Sequence, residues 1–295
     1  MDKEGFDQRP AEYKGRDRMS CVYHYCSVDT FLKIIQSNII RLSDIGKSND
    51  YGERIYIENW IHEELIREVE ETLPPEVFKN FLQVEKLCRD KCHQNIVLYA
   101  ICFSEENDLL SQWRGYANNG MGVAIGFSTD VLKALNKERY GLTFKPVCYE
   151  QKTQERFVRK QVQTIINTMK IKNAYAAFAE VYENEIANLG CIKAPGFSEE
   201  KEWRLCIAMT PEVRVNCEAK FLDFTLSRVR EQCIRERIIT YFDLSFEKVR
   251  DDLIKEIIIG PNARITPKDI YRSLYINGYQ TDQIKVSISD ITYRQ

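Results

Sequence analysis

At 295 residues, 44% hydrophobic and 29% charged, the chain is long enough to bury one sizeable core or two small ones. Its net charge is −2 and its Lys and Arg are dispersed, which leaves no basic stripe for a polyanion. No apolar run approaches the roughly 18 to 20 residues of a membrane span, so no membrane partner is expected.

Residues 1–18 are polar, lack a signal-peptide apolar region and read as a flexible arm ahead of one domain, 19–295. Val22–Tyr25 is β-prone. Ser27 is placed to cap a helix from Asp29 to Ser37 that buries Phe31, Ile34 and Ile35. A strand is predicted over Ile39–Leu42, and a polar turn over Asn49, Asp50 and Glu53. Apolar residues at helical spacing (Ile57, Ile61, Leu65, Val69, then Val77, Phe81, Val84, Cys88), separated by Pro74 and Pro75, predict two helices in an insertion at about 54–94.

Ile96–Phe103 reads as a buried strand, Ser104–Gly120 as a loop and Met121–Phe127 as a strand, with Gly120 and Gly122 marking positive φ or close backbone approach. A strand at Leu142–Tyr149 precedes a long helical insertion at about 154–190. Further strands are predicted near Trp203–Met209, Lys220–Phe224, Glu256–Ile259 and Gln283–Ser287. Helices are expected between them at Arg228–Arg237, Phe246–Lys255 and Pro267–Ile276, the last capped by Thr266. These elements predict one α+β domain carrying two helical insertions.

Three constellations can carry chemistry. His24, one of three histidines, sits between aromatics; its plain alternative is a part-buried ring bonded to a carbonyl. Ser104 ends an apolar strand and is followed by Ser111-Gln112-Trp113-Arg114-Gly115-Tyr116, whose plain alternative is a Trp–Arg stack pinning the segment. Glu200 and Glu202 lie two apart where a strand begins, so in an extended chain both would share a face with Arg204. That face is either paired with basic residues or presented to a ligand. Cys88 and Cys92 beside His93 supply only part of a zinc set, and no metal is expected. The ten cysteines, without a secretion signal, read as reduced thiols of a cytoplasmic protein.

Taken in order, Tyr23-His24-Tyr25-Cys26-Ser27, Asn49-Asp50-x-x-Glu53, Phe103-Ser104, Ser111-Gln112-Trp113-Arg114-x-Tyr116-Ala117, Gly120-x-Gly122, Phe197-x-x-Glu200-x-Glu202-Trp203-Arg204 and Ile259-Gly260-Pro261-Asn262 resemble the bacterial DUF2971 family. The resemblance runs from Tyr23 to Asn262, and the family's function is unknown. A looser resemblance is to ADP-ribosyltransferases, whose His, Ser and Glu-x-Glu strands occur here in the same order as His24, Ser104 and Glu200-x-Glu202. It implies a mixed or split sheet and NAD as the substrate. His24 and Tyr25 would hold the nicotinamide-side ribose, Ser104 would fix the cleft, Glu202 would be the catalytic acid, and Glu200 would orient or deprotonate the acceptor. Arg114 would meet the pyrophosphate, and Trp113 or Tyr116 would stack on a ring.

The resemblance further implies a bacterial effector or toxin of antiviral defence, with an unknown macromolecular acceptor (protein or nucleic acid) and an inhibitory partner. Two competing expectations are a non-enzymatic nucleotide sensor and a metal-dependent nuclease built on Asp50, Glu53, Glu200 and Glu202.

Overall fold

The computed structural model describes residues 19–47, 52–137, 142–209, 219–220, 223–234 and 236–293. The predicted arm, Asn49, Asp50 and the Glu53 side chain lie outside the described residues.

The first half carries β1 (Cys21–Cys26), α1 (Val28–Ser37), β2 (Ile39–Asp44), α2 (Gly52–Glu70), α3 (Pro75–Asn95), β3 (Val97–Ser104), α4 (Leu110–Tyr116), β4 (Val123–Ser128) and α5 (Thr129–Ala134). It is followed by β5 (Thr143–Pro146), α6 (Gln151–Met169), α7 (Ala174–Leu189) and β6 (Glu202–Met209). The remainder is β7 (Ala219–Lys220), β8 (Thr225–Leu226), β9 (Arg230–Ile234), β10 (Arg237–Ser245), α8 (Arg250–Leu253), β11 (Ile254–Ile259), α9 (Pro267–Ile276) and β12 (Lys285–Ile288).

Local chemistry explains the best-defined ends. The Ser27 hydroxyl accepts from the Thr30 N–H to open α1, and Asn38 closes that helix in the left-handed region at φ 54°. Thr266 and Asp269 form a reciprocal capping box at the start of α9, with Pro267 in its first turn.

One mixed sheet runs in the order β12-β11-β4-β1-β3-β2-β10-β8-β7, with β6 joining β3 to β5 and β9 joining β10. Among the described strands β11 and β12 pair in parallel and the other pairs are antiparallel. One edge of β3 is covered along its whole length by β6, from Val97 opposite Met209 to Ser104 opposite Glu202. The other edge is divided. β2 meets it at Tyr99 and Ala100, and β1 meets it only at Ser104. The sheet is therefore split over Ile101–Phe103.

One face is closed by a core that includes Phe31, Ile35, Phe103, Phe127, Phe144, Trp203, Phe242 and Leu274. On the other face α2, α3, α6 and α7 pack over Leu98, Ala100 and Cys206. A smaller cluster of Tyr25, Trp113, Ala117, Ala124 and Ile258 seats α4 beside β1 and β4. The result is a single α+β domain, and none of its described helices is long and apolar enough to cross a membrane.

Several expectations are corrected. The expected loop Ser104–Gly120 contains α4, which the lack of a capping side chain at Leu109 concealed. The long second insertion is two helices, broken between Met169 and Ala174. The helix expected at Arg228–Arg237 is instead the hairpin β9–β10, turned at Glu236 with φ 61°, and β10 was not foreseen. The helix expected at Phe246–Lys255 shortens to a 3-10 turn and α8, because β11 begins at Ile254. The strand predicted at Lys220–Phe224 resolves into two short pieces, β7 and β8.

The close approach foreseen at the glycines is present. Gly120 has φ +81°, and a Cβ on Gly122 would lie 2.0 Å from the Cys26 carbonyl oxygen.

Candidate functional site

The split in β3 opens into a cleft of about 620 Å³. Its floor is Ala100–Phe103, its walls come from β1 and β2, and α4 supplies Gln112 and Tyr116. Lys193, Phe197, Glu200, Glu202 and Arg204 close one end.

Glu200 does not lie on the strand. It ends a 3-10 turn over Pro195–Glu200, and Lys201 then adopts a left-handed conformation (φ 43°, ψ 51°) before β6 starts. The expected alternation Glu200, Glu202, Arg204 thus holds only for Glu202 and Arg204.

The two readings of the carboxylate pair are resolved toward pairing with basic residues, in a place that also borders the cleft. Arg204, 2% exposed, donates from Nε to Glu202 Oε1 and from Nη2 to Glu202 Oε2, both at 2.8 Å, and from Nη1 to the Gly190 carbonyl at 2.6 Å. This fork geometry is the strongest form of guanidinium–carboxylate contact. Lys193, 3% exposed, places its ammonium 2.6 Å from Glu200 and 3.6 Å from Glu202. Two acids and two bases make the cluster neutral, which is what allows charged groups to remain buried.

Burial pushes the Glu202 carboxyl up, but Arg204, Lys193 and the Cys102 thiol outweigh it and hold the group below the usual carboxylate range. Glu202 is ionised at neutral pH. The Tyr149 hydroxyl accepts from the Glu202 N–H at 3.1 Å, and burial with the Glu202 charge raises its pKa.

The His24 ring lies 3.0 Å, through Nδ1, from the Cys102 carbonyl, on the stretch of β3 that neither β1 nor β2 covers. That oxygen can only accept, so Nδ1 carries a proton. Burial lowers the His24 pKa, and the carbonyl contact offsets this only in part. In the neutral ring Nε2 is then an acceptor. Strand alternation places His24 with Phe103 on one face of the sheet and Tyr23, Ser104 and Glu202 on the other. His24 and Glu202 both line the cleft because the sheet is open between them.

The remaining candidates divide. Tyr116 is 52% exposed over the cleft, and burial together with the Glu200 charge pushes its hydroxyl up to about 12. The Tyr25 ring lines the cleft, but its hydroxyl donates to the Glu106 carbonyl at 2.7 Å and accepts from the Leu109 N–H, so it holds the segment before α4.

Two assignments are corrected by position, and Ser104 keeps its expected role of fixing the cleft without lining it. Trp113 is fully buried against Tyr25 and donates from Nε1 to Asp108 at 2.6 Å, so its ring is closed to a ligand. Arg114 stacks on Tyr293 at 4.7 Å and does not line the cleft. Ser104, 1% exposed, donates to the Glu200 carbonyl at 2.8 Å and accepts from the Glu106 N–H, so it fixes backbone at the cleft rather than meeting a ligand.

For the nuclease reading, Asp50 lies outside the described residues and Glu200 is bridged to Glu202 by Lys193. Among the described residues no group of three or more His, Cys, Asp or Glu side chains is placed to hold a metal ion. The His93 side chain beside Cys88 and Cys92 is outside that set. Lys193 was missed in the sequence. Its one signal is a lone lysine in the apolar stretch Cys191-Ile192-Lys193-Ala194-Pro195.

Residues 112–205 match a family model described as a protein of unknown function, DUF2971. That span runs from α4 to β6 and supports the resemblance read from the motifs over that part of the chain. No curated protein and no solved structure matches the chain.

Proposed function

We propose that the cleft binds NAD and that the chain cleaves the bond between nicotinamide and ribose, passing ADP-ribose to a macromolecule or to water. The observation that carries this reading is the alignment of the three motif strands. β1, β3 and β6 lie side by side, and their register puts Tyr23, Ser104 and Glu202 in one row, of which Tyr23 and Glu202 line the cleft.

The chemistry follows from the charges. Leaving of nicotinamide builds oxocarbenium character on the ribose. Glu202 is ionised and held rigid by Arg204, and its side chain lines the cleft where a ribose hydroxyl would sit. A preorganised carboxylate of that kind stabilises developing positive charge. The Glu200 side chain, 19% exposed, is the more accessible acid and the better placed to draw a proton from an acceptor. His24 Nε2 is an acceptor for a second ribose hydroxyl, and Tyr116 and Phe197 offer exposed rings for stacking.

The test is nicotinamide release from labelled NAD with cell lysate as acceptor source. Wild type is expected to release nicotinamide, and Glu202→Gln to lose at least about a hundredfold, with its unfolding curve measured beside the activity because Arg204 loses its charged partner. Absence of both NAD binding and nicotinamide release in the wild type defeats the proposal.

One observation favours a second reading. Arg204 and Lys193 already balance the carboxylates, which weakens the field a cationic transition state would feel. A nucleotide-binding sensor without chemistry needs no more than this. Saturable NAD or nucleotide binding without turnover would select it.

A further inference from the structure

Beneath the Glu202–Arg204 pair two thiols face each other. Cys206, two residues beyond Arg204 on the same face of β6, has its Sγ 3.7 Å from Sγ of Cys191, and both side chains are buried. Cys191 directly follows Gly190, whose carbonyl receives Arg204 Nη1. We propose that Cys191 and Cys206 are a redox modification site, forming a reversible disulfide that staples the segment after α7 to β6 below the cleft. The proposal stands whatever the cleft binds.

A disulfide needs its sulfurs at about 2.05 Å, so the pair must close by roughly 1.7 Å, within the reach of side-chain rotation and a small shift of the Cys191 segment. The pair spans 15 residues of chain. Either thiol can donate to the other across that contact, and Lys145 together with Arg204 adds positive charge beside Cys191, which favours its thiolate despite burial.

Cys191 is therefore the attacking sulfur. With a hydroperoxide as oxidant, its thiolate attacks one peroxide oxygen, the O–O bond breaks and hydroxide leaves to take a proton. The resulting sulfenic acid is attacked by the Cys206 sulfur, the S–O bond breaks and water departs. In sum, two thiols and one hydrogen peroxide give one disulfide and two waters. A small dithiol reverses it.

The experiment is peroxide titration of the folded, full-length chain, quenched by alkylation and mapped by mass spectrometry without reduction. The expected result is a Cys191–Cys206 linked peptide, lost on dithiothreitol treatment and absent in Cys206→Ser. A disulfide closing this loop is expected to raise Tm by roughly 5 °C relative to the reduced chain. In Cys206→Ser the attacking thiol has no resolving partner and is expected to be trapped as a dimedone adduct at Cys191. The proposal is overturned if exposed Cys102 and Cys233 are oxidised while Cys191 and Cys206 are recovered as alkylated thiols after unfolding. Linkage of either to any other cysteine overturns it equally.

Discussion

Arg204 grips Glu202, its neighbour but one on the same strand, through two 2.8 Å bonds, with both side chains almost wholly out of water. Removing one partner leaves the other charged and buried, which costs far more than the intact pair contributes. Arg204→Ala is expected to lower unfolding stability by about 3–5 kcal/mol. Urea denaturation measures it, and a loss below about 1 kcal/mol would mean that water reaches Glu202 freely.

His24 makes stability pH-dependent. Its pKa in the folded chain is depressed, so below about pH 6.5 the unfolded chain takes up a proton that the folded one resists. The contribution is complete above that pH and is lost as the pH falls toward the folded pKa. His24→Gln should flatten this slope. An NMR titration placing the His24 midpoint at or above 6.5 would refute it.

Gly122 and Gly196 make a matched pair. A Cβ at 122 would meet the Cys26 carbonyl at 2.0 Å and the Ala117 carbonyl at 3.0 Å, whereas at 196 it meets nothing within 4 Å. Gly122→Ala is expected to cost more than about 2 kcal/mol, and Gly196→Ala less than about 0.5 kcal/mol. Thermal unfolding of the two variants decides between them.

Trp113 and Tyr116, one helical turn apart on α4, should respond oppositely to truncation. Trp113→Ala empties a fully buried site and breaks the bond to Asp108, for an expected loss of about 3–5 kcal/mol. Tyr116→Ala should leave stability within about 1 kcal/mol and instead weaken ligand binding in the cleft. Calorimetry on both variants, with an NAD titration of the second, separates these effects.

Where local chemistry and packing agree, the sequence was legible. Ser27 and Thr266 announced their helices, and the stripe of α2 landed in the second core, whereas of the four apolar residues read for α3 only Phe81 and Cys88 did and Val77 and Val84 face solvent. The charged stretch Arg228–Arg237 misled because its residues favour helices, yet pairing with β10 makes it a strand. At the site, His24, Glu200 and Glu202 were singled out and all three line the cleft. Trp113 and Arg114 carried suitable chemistry, but α4 turns both away from it, and α4 itself had no cap to reveal it. Lys193 left only the faint signal of a lysine in an apolar stretch, because a buried cation is defined by the anions that the fold brings to it.

The left-handed turn at Lys201 has a geometric consequence for these acids. In an unbroken strand, side chains two apart on one face leave the backbone roughly 7 Å from each other and side by side, with nothing in the chain itself to draw two like charges together. With the chain folded back at that residue, a single lysine spans them, at 2.6 and 3.6 Å. An uncommon backbone conformation in one residue thus sets where the first of the two acids meets the buried lysine, without altering any charge.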